Sequence, residues 1–192
     1  MMSTVSPTLV FLDSCAYFRL ELSLHPDLLK RHSGIPEYEV VVLEDVGKEH
    51  DGSRRLSDKF WWPKVEEYAV ARKKHTYILT GRKQRAAMHA FQSIRAKADE
   101  LGCDLSATDC RVLAAAFVSC GMAISDDVGV QAVGRALKIK VFDTLWILKM
   151  FLKRKIITSD RTIQTLEYLM EENDTGAWKK DAKAFLKQLK KR

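Results

Sequence analysis

The sequence predicts a three-layer α/β/α fold: a central parallel sheet of four or five strands, helices on both faces, and further helices at the C-terminal end. Three observations lead there. Short apolar runs rich in β-branched residues recur at 8–12, 40–43, 122–125 and 139–142, continuous as strands buried on both faces should be. Stretches with helical periodicity separate them, and strands alternating with helices make a parallel sheet. Three of the runs also end on acids: Asp13, the pair Glu44-Asp45, and Asp126-Asp127. Right-handed crossovers bring all strand C-termini to one edge, where ligands bind near the point at which strand order reverses.

The elements follow in order. Residues 8–12 form the first strand and 14–24 a helix. Residues 26–36 read as a loop, punctuated by His25-Pro26 and Ser33-Gly34. The run Val40-Val41-Val42-Leu43 is a second strand, entering a short helix at 44–49 in spite of Gly47. Residues 51–62 are polar and basic and read as an exposed loop. A helix over 63–74 has Pro63 in its first turn. The helix over 82–101 keeps Ala86, Ala87, Ala90, Phe91, Ile94 and Ala98 mostly on one face, and Gly102 ends it.

Ser106 opens a helix to about 119, closed by Gly121. A strand at 122–125, a helix at 128–137 and a strand at 139–142 complete the alternation. Amphipathic helices follow at 144–153, 161–172 and 178–189. In the last, Trp178, Ala182, Phe185, Leu186 and Leu189 form an apolar stripe among lysines. Residues 1–155 thus read as the main domain, with a basic helical insertion at about 51–102. Residues 156–192 read as a helical extension packed on it.

Composition narrows the function classes. The chain has 192 residues, 46% of them hydrophobic, enough to bury a core. Lysine and arginine outnumber aspartate and glutamate by 32 to 25, so the surface attracts phosphates. Cys15, Cys103, Cys110 and Cys120 show no CxxC or zinc-finger spacing. They read as reduced thiols, with Cys15 and Cys120 as small core residues. His25, His32, His50, His75 and His89 form no ligand pair. No signal peptide and no apolar stretch of about 20 residues is present, so the expected location is cytoplasmic, away from membranes. Dinucleotide, Walker and nucleophile-elbow motifs are absent.

The acids carry the chemistry. Carboxylates gathered at one edge repel one another unless a cation sits between them. That points to a hard divalent ion and to reactions of phosphates. Each acid also has a plainer role open to it. Asp13 suits an N-cap, and Ser106-Ala107-Thr108-Asp109 fits a capping box. Asp127 suits a cap, as do Ser125 and Asp126. Glu44 and Asp45 are adjacent, so only one can face the site, while Asp45 and Glu49 share a helix face.

The order of these segments resembles the PIN-domain (VapC-like) ribonucleases. The matching stretches are Val10-Phe11-Leu12-Asp13-Ser14, Glu44-Asp45-Val46, Ser106-Ala107-Thr108-Asp109 and Ser125-Asp126-Asp127, closed by Ala136-Leu137-Lys138-Ile139-Lys140-Val141. They span about residues 8–148. The chain departs from the family pattern at the second acid, which is either Glu44 or Asp45, and in the longer 51–102 segment.

The resemblance implies a Mg²⁺- or Mn²⁺-dependent endoribonuclease. Its catalytic acids would be Asp13, Asp45, Asp109 and Asp127. Asp13, Asp109, Asp127 and Asp45 or Glu44 would be the metal ligands, and Ser14, Ser125, Asp126 and Glu49 would support them. The implied partner is RNA, with a homodimer and an antitoxin protein as further partners of this family type. Arg54, Arg55, Lys59, Arg82, Lys83 and Arg85 are candidate RNA contacts, near Arg72, Lys73 and Lys74. Tyr68, Trp61 and Trp62 could stack bases or anchor the insertion to the core. Two other classes stay in view: a non-catalytic PIN-like module binding RNA or protein, and a structure-specific DNA nuclease.

Overall fold

A computed structural model of the chain describes residues 6–29, 31–32, 38–172 and 175–191. Five parallel strands make the central sheet: β1 (Thr8–Leu12), β3 (Tyr38–Leu43), β4 (Thr76–Tyr77), β5 (Met122–Ile124) and β6 (Lys140–Phe142). The two-residue β2 (Arg31–His32) pairs antiparallel with the start of β3. In spatial order the parallel strands run β4-β3-β1-β5-β6. The chain builds outward from β1 in one direction and then crosses to its other side at β5. Strand order therefore reverses between β1 and β5, where Val10 stands opposite Met122 and Leu12 opposite Ile124.

Alternation along the strands makes the layers, because successive side chains leave a strand on opposite faces. Val10, Leu12, Val40, Val42, Met122 and Ile124 join one core. Against it lie α1 (Ser14–Leu24), α8 (Thr144–Lys153), α9 (Ser159–Glu171) and α10 (Lys179–Leu189). Phe11, Val41, Leu43 and Ala123 join the other. That core is covered by α5 (Gly81–Glu100), α6 (Ala107–Val118) and α7 (Val128–Ala136). Leu166, Leu169, Ala182, Leu186 and Leu189 of the last two helices share the first core with Val10 and Leu12.

The junction of α6 with β5 is tight. Cys120 takes a left-handed conformation, φ 51°, to end the helix. At Gly121 a Cβ would lie 2.5 Å from the backbone oxygen of Leu9, so only glycine lets β5 approach β1 this closely.

Several expectations need correction. The segment at 51–62 is not an exposed loop. Helix α2 (Glu44–Gly52) runs on into it, and α3 (Arg54–Lys59) follows, with Ser53 as N-cap accepting from the Leu56 N–H at 3.3 Å. Leu56, Phe60 and Trp62 are buried, and the Trp62 ring meets those of Tyr17, Phe18 and Tyr68. Trp61, by contrast, is 64% exposed. A turn at Trp62–Lys64 precedes α4 (Glu66–Lys74). Strands β2 and β4 are additions, and β2 falls within the span read as a loop. Ser33, Gly34 and Pro36 of that span lie outside the described residues. Cys120 is exposed rather than part of the core, and all four cysteines are free thiols. Among the described residues no helix is long and apolar enough to cross a membrane.

Candidate functional site

Asp13 ends β1 and caps α1, one carboxylate oxygen accepting from the Ala16 N–H at 2.6 Å. It is only 3% exposed. Burial pushes its carboxyl from an ordinary 3.8 up to about 7; Asp126 and Asp109 add repulsion, and hydrogen bonds from Ser125 and Ala16 oppose the rise. Asp127 ends β5 across the switch point and caps α7, accepting from the Val130 N–H at 2.9 Å. It lies at the solvent-exposed mouth. Ser125 is fully buried, and its hydroxyl accepts from the Asp127 N–H at 3.2 Å.

Asp109 belongs to a complete capping box. It accepts from the Ser106 N–H at 3.0 Å and its own N–H donates to the Ser106 hydroxyl at 3.1 Å. Burial again raises its carboxyl, with repulsion from Glu49 and Asp127 adding to the effect. Glu49, in the middle of α2, accepts a short hydrogen bond from the Ser14 hydroxyl. Carboxylates from four segments, at 13, 49, 109 and 126–127, are therefore close enough to act on one another's charge. They are graded from buried Asp13 to exposed Asp127.

Glu44 and Asp45 take other partners. Glu44 is exposed and pairs with Lys48 at 2.9 Å. Asp45 pairs with Arg111 of α6 at 2.6 Å. The acid of α2 that acts on Asp109 is Glu49, one turn beyond Asp45 on the same face.

Asp126 is held by three hydrogen bonds. It accepts from Arg19 Nη1 at 2.6 Å, from the Thr144 N–H at 2.7 Å and from the Thr144 hydroxyl at 2.6 Å. It ties α1 to the start of α8 beside Asp13. Arg19 and Thr144 carried no sequence signal of their own; Asp143, which caps α8 through the Trp146 N–H at 2.7 Å, was the available clue after the fourth strand.

The basic residues of the insertion divide. Arg54, Arg55 and Lys59 on α3 are exposed, as are Arg82, Lys83 and Arg85 at the start of α5. Arg54 lies 3.5 Å from Asp58, and the Lys59 ammonium sits 5.0 Å from the Phe60 ring centre. Arg72 instead packs its guanidinium 3.5 Å from the position of a Cβ at Gly47, inside the fold. The Tyr68 ring lies against that of His25, centroids 4.6 Å apart and planes tilted by 58°.

Among the described residues no three His, Cys, Asp or Glu side chains stand arranged to hold a metal ion. The donor set itself suits a hard cation. It is made of carboxylate oxygens, and a cap engages one oxygen where a carboxylate has two, each able to accept more than one bond. A cation would also favour the charged forms of Asp13 and Asp109, which burial chiefly and mutual repulsion secondarily disfavour. No protein-family model, curated protein or solved structure matches the chain.

Proposed function

We propose that the chain is a Mg²⁺- or Mn²⁺-dependent endoribonuclease of the PIN type. The observation that supports this best is the charge coupling that links Asp13 to Asp109, and Asp109 to Glu49 and Asp127, at the C-terminal edge of the sheet beside the switch point. Burial and mutual repulsion disfavour the charged forms of such groups, a cost that a bound cation would offset. In this reading Asp13, Asp109 and Asp127 hold the ion, with Glu49 as the fourth acid in place of Glu44 or Asp45. Ser14 orients Glu49, and Ser125 and Asp126 hold the loop that carries Asp127. A bound Mg²⁺ or Mn²⁺ would supply a water of lowered pKa and neutralise phosphoryl charge. The exposed cations of α3 and α5 draw the RNA backbone toward this edge.

A second reading has its own observation. Every acid named already has a partner, Asp13, Asp109 and Asp127 in caps and Asp126 with Arg19 and Thr144. That suits a non-catalytic module that binds RNA or protein. A cleavage panel separates the readings: single-stranded RNA, duplex DNA and flap DNA, each with Mn²⁺, Mg²⁺ or chelator. Metal-dependent cutting of RNA alone, lost in Asp13→Asn and Asp127→Asn, supports the ribonuclease. Binding without cutting supports the module, and cutting of flap DNA alone supports a DNA nuclease.

A further inference from the structure

Between the end of β3, the segment after β4 and one face of α5 lies a cavity of about 400 Å³. Its mouth reaches the Asp45–Arg111 pair, on the same two helices, α2 and α6, that carry Glu49 and Asp109. We infer that this cavity is a subsite for one unstacked nucleobase of a single-stranded RNA; the inference rests on the ribonuclease reading above.

The lining has the parts such a subsite needs. Tyr77 and Phe91 supply rings, and Tyr77 is braced edge-on by Phe11 at 5.3 Å and 84°. Aromatic rings fixed in place can stack a base turned out of its strand. Gln84 and Gln92 lie eight residues apart on α5 and so share its cavity face. Their amides each offer a donor pair and an acceptor, which matches the edge of a base. Met88, 66% exposed, and Ile78, 68% exposed, stand at the rim. A concave, mostly apolar lining with a few polar groups is the usual form of a small-ligand site.

Charge decides what kind of molecule fits. The two carboxylates of the lining are already matched, Glu44 by Lys48 and Asp45 by Arg111. Arg82, Lys83 and Arg85 flank Gln84 on the exposed start of α5, and among the described residues none of the three is in an ion pair. A site with rings and amides inside and unmatched cations beside it complements a base with its phosphate. A partner helix or a second copy would instead need a longer apolar stripe than Ile78 and Met88 provide.

The test uses the full chain in EDTA, labelled with ¹³C-methyl methionine, and two probes: an eight-nucleotide single-stranded RNA and an abasic analogue of the same length. The intact RNA is expected to shift the Met88 methyl and leave those of buried Met122 and Met150 in place. The abasic analogue should bind on the order of tenfold more weakly, as loss of base stacking requires. The double variant Gln84→Ala/Gln92→Ala, both positions exposed, should weaken the intact RNA by severalfold while keeping the native spectrum. Equal affinity for both probes with Met88 unmoved overturns the inference and leaves backbone binding standing. A concentration-dependent dimer abolished by Met88→Lys, with no RNA shift, overturns it in favour of a second copy. A Met88 shift without any cleavage when Mn²⁺ is added sustains the subsite and defeats the ribonuclease reading.

Discussion

Replacing Asp13 with asparagine should stabilise the metal-free protein at pH 8. Asparagine caps a helix about as well as aspartate, so the hydrogen bond to the Ala16 N–H survives. What disappears is a buried charge. The folded carboxyl titrates at about 7 against an ordinary 3.8, and each pH unit between them is worth about 1.4 kcal/mol. The sign follows from proton linkage: the native state holds the Asp13 proton more tightly than the unfolded chain. Below pH 3.8 both states are protonated and the residue has no effect. Between about 4 and 7 stability falls as pH rises, and above 7 the native state carries the whole penalty, roughly 4 kcal/mol. Urea unfolding of wild type and variant in EDTA, from pH 4 to 8, measures this as a widening gap in ΔG. Added Mn²⁺ should narrow the gap by stabilising the wild type more than the variant, which binds the ion more weakly. A variant destabilised equally at every pH would refute the reasoning, since Asp13 would then act only through packing and its cap.

Three further outcomes are expected. Glu49→Gln should lower metal-dependent RNA cleavage by at least about tenfold, a loss typical of a misplaced metal ligand or its support. Glu44→Gln, at an exposed position paired with Lys48, should leave cleavage unchanged, and the reverse ranking would restore Glu44. Asp126→Ala, which breaks a largely buried ion pair with Arg19 and two bonds to Thr144, should cost roughly 3–5 kcal/mol in urea unfolding; a loss under about 1 kcal/mol contradicts the bracing role. Gly134→Ala puts a Cβ 2.3 Å from a Val141 methyl, so thermal unfolding should show a loss of about 1–3 kcal/mol, relieved by Val141→Ala.

The sheet was legible where its strands are buried on both faces. Leu9 to Leu12 and Val40 to Leu43 have no polar interruption, and no other element could hide them. Strands β2 and β4 were not legible, because Arg31-His32 and Thr76-Tyr77 are two-residue pairings made only by the presence of β3. The 51–62 segment misled through its charge. Its helices are secured by a few buried groups, Leu56, Phe60, Trp62 and His50, whose Nε2 lies 2.8 Å from the Phe60 oxygen. Such sparse anchors leave no periodic pattern.

For the candidate site, strand-end position singled out Asp13 and Asp127 and a capping-box pattern singled out Asp109, and the caps those positions suggested are present. Choosing among the acids of α2 was beyond the sequence. Glu44, Asp45 and Glu49 differ in which neighbours they meet: Lys48 on the same helix, Arg111 on α6, and Ser14 on α1. Only the packing of α2 against those helices reveals that. Likewise nothing in Arg19 or Thr144 foretold that they would converge on Asp126 from elements more than a hundred residues apart in the chain.

The most direct test of the central claim is Mn²⁺ binding followed by electron paramagnetic resonance at pH 7.5. Wild type should bind the ion stoichiometrically, and Asp13→Asn and Asp109→Asn should each weaken it by tenfold or more, while Glu44→Gln binds like wild type. Mn²⁺ that stays free beside wild type, or binds the two aspartate variants as well as it binds wild type, would contradict the account.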